Sequence, residues 1–339
     1  MIELRHLHEC KYIPEKVKRE LKNTSGNNSS KKYSTGSTKQ FVEHSAKDKG
    51  LVETKKGLVW KEANHVLTPF VSTKRKKIQS KSSSTKVKKK KKEKQDRGML
   101  NFDVLVKQKF INLSDRGLFD GDLDHVLYQV IEQSTVLEDL WLEGNNLTLD
   151  DGKLANAIAK NTTLKKLYIY NNNIGPEGIK LLADALKKNH TNTLEGLYLY
   201  DNIIGDEGAK YIAKMLADNK TLQKIGLNDN NISDKGAQSL ATSLLENTSL
   251  HTIDLGTNSI GDKGAQSIAT SLVINTGIQE IYLDDNKIGD WGAEKIADAL
   301  EANHNIKTLD LSGNNTISNR VRDRINAILS DPKRAKRQR

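Results

Sequence analysis

Between residues 137 and 318 apolar side chains return on a fixed beat. Leu222, Ile225, Leu227, Asn230 and Ile232 recur as Leu250, Ile253, Leu255, Asn258 and Ile260, then as Ile278, Ile281, Leu283, Asn286 and Ile288. The frame extends to Ile306, Leu309, Leu311 and Asn314, and back through copies that begin at Leu194, Leu164 and Leu137. Successive starts lie 27, 30, 28, 28, 28 and 28 residues apart. Seven copies held in register make this an internal repeat.

Each period has two halves. The Leu-x-Leu core alternates with a period of two, which predicts a short strand. Farther on, Ala209, Ile212, Ala213 and Leu216 fall at i, i+3, i+4 and i+7, as do Ala237, Leu240, Ala241 and Leu244, which predicts a helix. Asp206, Asp234, Asp262 and Asp290 stand where a helix start needs acceptors for its free N–H groups. Asn161, Asn219, Asn247 and Asn303 stand where a left-handed residue would end it. The recurring Asn145, Asn172, Asn202, Asn230, Asn258, Asn286 and Asn314 form a column whose amides suit the backbone groups of a turn. One strand and one helix per period stack into a solenoid.

The unit L-x-x-L-x-L-x-x-N-x-I-G-D-x-G-A-x-x-I-A-x-x-L resembles the leucine-rich repeat of the ribonuclease-inhibitor subtype, as found in NOD-like receptors and Ran GTPase-activating proteins. The resemblance implies an α/β right-handed solenoid, a horseshoe with a parallel concave sheet and outer helices. Residues 101–136 are expected to cap its start as a degenerate repeat, with Ile111, Leu113 and a helix near 122–133. The seven repeats fill 137–318. A helix over 319–330 caps the end with Val321, Ile325 and Ile328 inward and Arg320, Arg322 and Arg324 toward water.

Charge divides the chain differently. Residues 1–100 hold 27 Lys and Arg against 10 Asp and Glu, residues 101–330 hold 22 against 32, and residues 331–339 hold 5 against 1. An acidic body of net −10 is therefore flanked by a basic arm of +17 and a basic tail of +4. The arm carries Ser- and Lys-rich stretches that bury too little apolar surface to offset ordering entropy, so it is expected to be largely disordered. Its island at 57–71, with Trp60 and Phe70, reads either as a docking motif or as a strand fragment. Lys74, Arg75, Lys76 and Lys77, followed ten residues later by Lys88, Lys89, Lys90, Lys91 and Lys92, resemble a bipartite nuclear-import signal; Lys333, Arg334, Lys336 and Arg337 resemble a simple one. Contact with an import receptor or with nucleic acid is expected only through these tails.

No apolar run reaches the roughly 18 residues of a membrane span, and residues 1–25 lack a secretory pattern. The expected location is nuclear or cytoplasmic, not secreted. A single cysteine, Cys10, leaves no disulfide framework. No metal or cofactor site and no catalytic constellation emerges, so the chain is read as non-enzymatic.

The strand residues that point away from the helices carry the functional signal. One column reads Trp141, Tyr168, Tyr198, Gly226, Asp254, Tyr282 and Asp310, and the next Glu143, Tyr170, Tyr200, Asn228, Gly256, Asp284 and Ser312. A third adds Asp201, Asp229 and Asp285. Five of nine tyrosines sit in the first two columns, four of them with Trp141 in the first three repeats, while the acids gather in the later ones. Exposed aromatics on a rigid sheet suit a protein interface, and the acids suit a basic partner. The expected function is a protein-interaction scaffold, acting as a monomer. The alternatives are a GTPase activator of the Ran-directed type, although no arginine lies between residues 117 and 319 to serve as a finger, or an isolated sensor module of the NOD-like type.

Overall fold

A computed structural model describes residues 51–54, 57–60, 102–188, 193–332 and 334. Residues 41–101 form a unit of their own, which contains an antiparallel strand pair, β1 (Leu51–Thr54) and β2 (Gly57–Trp60), with Leu51 opposite Trp60. The island at 57–71 thus begins as a strand. The rest of the basic arm lies outside the described residues.

The other unit is built from the repeat. After a turn of helix, α1 (Phe102–Leu105), come β3 (Phe110–Asn112) and α2 (His125–Gln133), then β4 (Asp139–Trp141) and α3 (Lys153–Lys160), then β5 (Lys166–Tyr168) and α4 (Pro176–Lys188). The series continues with β6 (Gly196–Tyr198) and α5 (Gly205–Asp218), β7 (Lys224–Gly226) and α6 (Asp234–Leu244), β8 (Thr252–Asp254) and α7 (Asp262–Leu272). It closes with β9 (Glu280–Tyr282), α8 (Asp290–Ala302), β10 (Thr308–Asp310) and α9 (Asn319–Ser330). Strands β3 to β10 form one parallel sheet in sequence order, and residues one period apart pair, as Gly226 with Asp254 and Asp254 with Tyr282. The eight-stranded α/β solenoid is therefore as expected, and β3 extends the sheet one strand before the first clear repeat.

The core lies between sheet and helices. Leu227, Leu255 and Leu283 of the strand halves are fully buried, with Ala237, Leu240, Ile268 and Ile296 of the helices against them. A parallel sheet of three-residue strands leaves most backbone groups of each period in turns, and these are satisfied by side chains from the next repeat. Asn258 shows how. Its Oδ1 accepts from the N–H groups of Asn230 (3.1 Å) and Ile232 (2.9 Å), and its Nδ2 donates to the carbonyls of Leu227, Leu255 and Gly256, each at 3.0 Å. Asn172, Asn202, Asn286 and Asn314 repeat the arrangement.

Two expectations about the helix ends change. The aspartates do cap helix N-termini, but those of the following repeat. Asp206 accepts from Ser233 N (2.7 Å) and Gly236 N (3.0 Å), Asp234 from Gly261 and Gly264, and Asp262 from Gly289 and Gly292. The close approach dictates the glycine: a Cβ on Gly236 would stand 2.7 Å from Asp206 Oδ1 and 2.6 Å from Ile232 Cγ2. The asparagines after the helices are not left-handed. Asn161, Asn219 and Asn303 are extended (φ −71°, −76° and −95°), and the side chains of Asn161, Asn247 and Asn303 reach across repeats instead. Asn303 Nδ2 donates to Leu272 O and Asn275 O, and Asn275 does the same to Leu244 O and Asn247 O, which makes Asn275 a member that the caps alone do not reveal.

The C-terminal cap also differs in its arginines. Val321 and Ile325 are buried as expected. Arg322, however, turns inward and donates to the carbonyls of Asn314 (2.7 Å), Ile317 and Leu311. Among the described residues no further strand follows to satisfy these acceptors, and the guanidinium fork takes that role. Arg324 binds Glu294, Asp298 and Glu301 of α8. Arg334 is buried and donates to the carbonyls of Leu300 and Ile306.

Asn258→Ala would leave five backbone hydrogen bonds without their side-chain partner. Leu255 O keeps Asn286 Nδ2 and Gly256 O keeps Asp229 N, so three groups are stranded at about 1–3 kcal/mol each, and the substitution should remove about 3–9 kcal/mol in urea melts. A loss under 1 kcal/mol would mean that water replaces the amide.

Candidate protein-binding face

The outward side of the sheet is set by the pleat. In β3 to β9 the middle residue is buried in the core and its neighbours face the other way, and β10, at the edge of the sheet, leaves Leu309 half-buried. This places Trp141, Tyr168, Tyr198, Gly226, Asp254, Tyr282 and Asp310 in one row across β4 to β10, because each pairs with the next in the ladder.

The aromatics form two stacks. Tyr168 and Tyr198 lie parallel, with centroids 4.6 Å apart and an angle of 3°, and Tyr170 and Tyr200 stack at 4.0 Å and 18°. Trp141 meets Tyr168 edge-on at 5.7 Å, and Phe110 of β3 stacks on Trp141 at 6.2 Å. Phe110 thus adds a ring from β3 to the aromatic cluster, although the ladder sets Asn112 opposite Trp141 and Phe110 opposite Asp139. It was legible in principle, since it flanks Ile111 on the outward side of the strand. The stacking changes the expected exposure. Trp141, Tyr168, Tyr170 and Tyr198 are buried, with Tyr168 at 1%, while Tyr200 is half-buried. Stacked rings at these distances hide each other's faces.

Two glycines make room for this face. A Cβ on Gly226 would lie 3.2 Å from the Tyr200 ring, so the tyrosine leans over the empty position in the next strand. A Cβ on Gly256 would lie 2.6 Å from Asp284 Oδ1. That glycine lets Asp284 come close to Asp254, whose Oδ1 accepts from Gly256 N at 3.0 Å. The columns in the sequence mark both glycines as face residues, but only the fold shows that their missing side chains are used.

The acids fall into two classes. Asp201, Asp229 and Asp285 hold the turn after the strand with φ of 55°, 51° and 50°, in a column that also contains Asn171, Thr257 and Gly313. Asp, Asn and Gly are the residues that tolerate this conformation, so the third column has a backbone reason for its composition. Asp285 is exposed and Asp201 and Asp229 are half-buried. Asp254, Asp284 and Glu143 are buried. Burial pushes the Asp254 carboxyl up to about 7, helped by the charges of Asp284 and Asp310 and opposed by the Gly256 amide. Tyr282, half-buried between these acids, is pushed up to about 12 by burial first and then by Glu280 and Asp254. Burial likewise raises the Tyr170 hydroxyl well above its ordinary value, with Tyr200 and Glu143 adding to it.

Of the targeting residues, only Arg334 is among the described residues. Lys74 to Lys77, Lys88 to Lys92, Lys333, Lys336 and Arg337 lie outside the described residues, and Arg334 caps the last repeat.

The raised Asp254 carboxyl has a defined sign in stability. Between about pH 4 and 7 the folded chain holds a proton there that the unfolded chain has released, so this group's contribution falls as pH rises toward 7. Asp254→Asn keeps the Gly256 hydrogen bond and removes the titration. Its stability relative to the parent should grow between pH 5 and pH 8 by on the order of 2–4 kcal/mol. A difference independent of pH in paired denaturant melts would show that Asp254 is ionised throughout.

A protein-family model described as "Leucine Rich repeat" matches residues 160–183, 190–213, 218–241, 246–269, 275–297 and 302–320. Two solved structures are similar: leiomodin-1 actin-binding site 2, 19% identical over 46% of this chain and 90% of that one with a TM-score of 0.37, and the tropomodulin C-terminal domain of Caenorhabditis elegans, 18% identical over 47% and 94% with a TM-score of 0.39. No curated protein sequence matches the chain significantly. The six matched repeats each carry one strand of the parallel sheet, so that between residues 160 and 320 the α/β fold is that of a leucine-rich-repeat solenoid.

Proposed function

We propose that the chain is a non-enzymatic interaction scaffold, and that its partner is a protein or peptide segment with basic residues seated across the strand face. The observation that carries this reading is the division of one continuous face into an aromatic half over β4 to β6 and an acidic half over β7 to β10. Tyr200, Asp201, Asp229, Tyr282 and Asp285 keep surface available, and the buried stacks beneath hold them in place. Rigid aromatic anchors bind at low entropic cost, and acids nearby steer and select cations. Neighbouring strands lie about 4.8 Å apart, so a short extended segment spans from Tyr200 to Asp285. The lysine runs of the arm, Lys74 to Lys77 and Lys88 to Lys92, are proposed as an import signal that delivers the scaffold to the nucleus.

Selection of a random peptide display library on the full chain tests the partner chemistry. Enriched peptides should carry Lys or Arg, and Tyr200→Ala and Asp285→Lys should each weaken them at least tenfold. Enrichment of acidic peptides, or binding indifferent to both substitutions, would contradict the reading.

A further inference from the structure

One loop of the stack departs from the pattern of the others. The column of aspartates that open the helices, Asp206, Asp234, Asp262 and Asp290, is interrupted at α4, which opens with Pro176. In the later repeats that aspartate receives the N–H of the residue just before the next aspartate of the column. Asp206 receives it from Ser233, Asp234 from Gly261 and Asp262 from Gly289, each at 2.7 Å. These three donors are extended, with φ of −103°, −103° and −99°. Gly205 holds the same place before Asp206, but a proline ring offers no acceptor. Its N–H turns instead toward the following repeat and donates to Asn230 O at 2.9 Å, and its φ is 62°.

The turned loop leaves a polar group unpaired. Asn202, Asn258, Asn286 and Asn314 accept with Oδ1 from the N–H groups of Ile174, Ile232, Ile260 and Ile288. Asn230 is the counterpart for Ile204, yet its Oδ1 is buried and has no hydrogen-bond partner. Ile204 itself is helical, with φ −64° and ψ −43°. Beside it Ile203 stands 55% exposed, in a column that otherwise holds Asn173, Asn231, Ser259 and Lys287.

Two arrangements are open to this segment. Glycine takes either sign of φ at little cost, so rotation of the Ile204–Gly205 peptide group carries Gly205 from its left-handed state to the extended state of its counterparts. There is room for it, since even a Cβ on Gly205 would meet nothing within 4 Å. The left-handed arrangement keeps the bonds from Gly205 N to Asn230 O and from Gly208 N to Ile204 O (3.2 Å), and strands a buried acceptor. The extended arrangement gives up the bond to Asn230 O and finds no carboxylate at position 176. Neither satisfies every group, which brings the two close in free energy.

We propose that Ile203–Gly205 is a two-state loop, left switchable by Pro176, at the point where the strand face passes from its aromatic to its acidic half. Tyr200 and Asp201 lead directly into it, so the switch lets the centre of that face adjust to what it binds. Only this use in recognition rests on the strand-face reading; the switch itself belongs to the free protein. The minor state is expected at roughly 0.1–10% of the population, exchanging in microseconds to milliseconds.

Amide nitrogen relaxation dispersion on the labelled full chain tests this without a partner. Ile204 and Gly205 should show exchange on that timescale, and Ile232, Ser233, Ile260, Gly261, Ile288 and Gly289 should not. Pro176→Asp supplies the missing acceptor and should remove the exchange. Pro176→Ala removes the ring without supplying an acceptor and should keep it. Gly205→Ala gives an independent reading in denaturant melts. In the parent, a left-handed alanine should lower the folding equilibrium constant roughly five- to thirtyfold. In the Pro176→Asp background the loop is extended, as at Ser233, and the loss should shrink to about twofold or less. Flat dispersion at Ile204 and Gly205 overturns the proposal. So does exchange that persists in Pro176→Asp, or an alanine cost that is equal in the two backgrounds.

Discussion

Each turn of this solenoid buries backbone N–H and C=O groups that its own repeat cannot satisfy. A buried amide without a partner costs more than a good hydrogen bond gains, so every repeat depends on its neighbours for its polar groups, on the next one for the asparagines and on the preceding one for the aspartates. The dependence is met by three ladders: the asparagines after the strands, the aspartates at the helix starts, and the asparagines after the helices. Each runs in one direction along the stack. At the last repeat the supply stops, and Arg322, Arg324 and Arg334 stand where a further repeat would have been. The same constraint places glycine at 236, 264 and 292, where a methyl group would strike the carboxylate of the preceding aspartate.

Because the ladders and the apolar core consume the inward positions, two surfaces are left to vary: the outward strand residues and the outward helix residues. On the strand side the variation is not random. The strand face passes from stacked rings to crowded carboxylates, with Gly226 and Gly256 giving up side chains so that Tyr200 and Asp284 can lean across. That pattern is laid on a frame that does not itself require it, which is why it bears on function.

The repeat, the sheet order and the core were legible in the sequence, since Leu227, Leu255 and Leu283 announce themselves by period alone. The direction of the polar contacts was not. Asp206 reads as a cap for its own helix, and only the stack shows its carboxylate turned to Gly236 one period on. Asn161 reads as a left-handed stop and is extended, since its amide is used across the repeat. The face columns were legible by register, but the depth of Tyr168 and Asp254 was not, because burial there depends on what neighbouring strands place beside them. Asp229 and Asp285 look like recognition residues in a list of columns, yet a positive φ also accounts for an acid or an amide at that turn. Arg334 looks like part of a basic run, and its burial follows from carbonyls left open at the end of a finite solenoid.

The claim that neighbour side chains hold the turns together is tested most directly by native-state amide hydrogen exchange. The N–H groups of Ile232, Ile260 and Ile288 lie in loops, and each donates to the asparagine of the following repeat at 2.9–3.0 Å. They should exchange as slowly as the core amides of Leu227 and Leu255, with the free energy of global unfolding. Exchange at the rate of exposed loop amides, while Leu227 and Leu255 stay protected, would contradict the account.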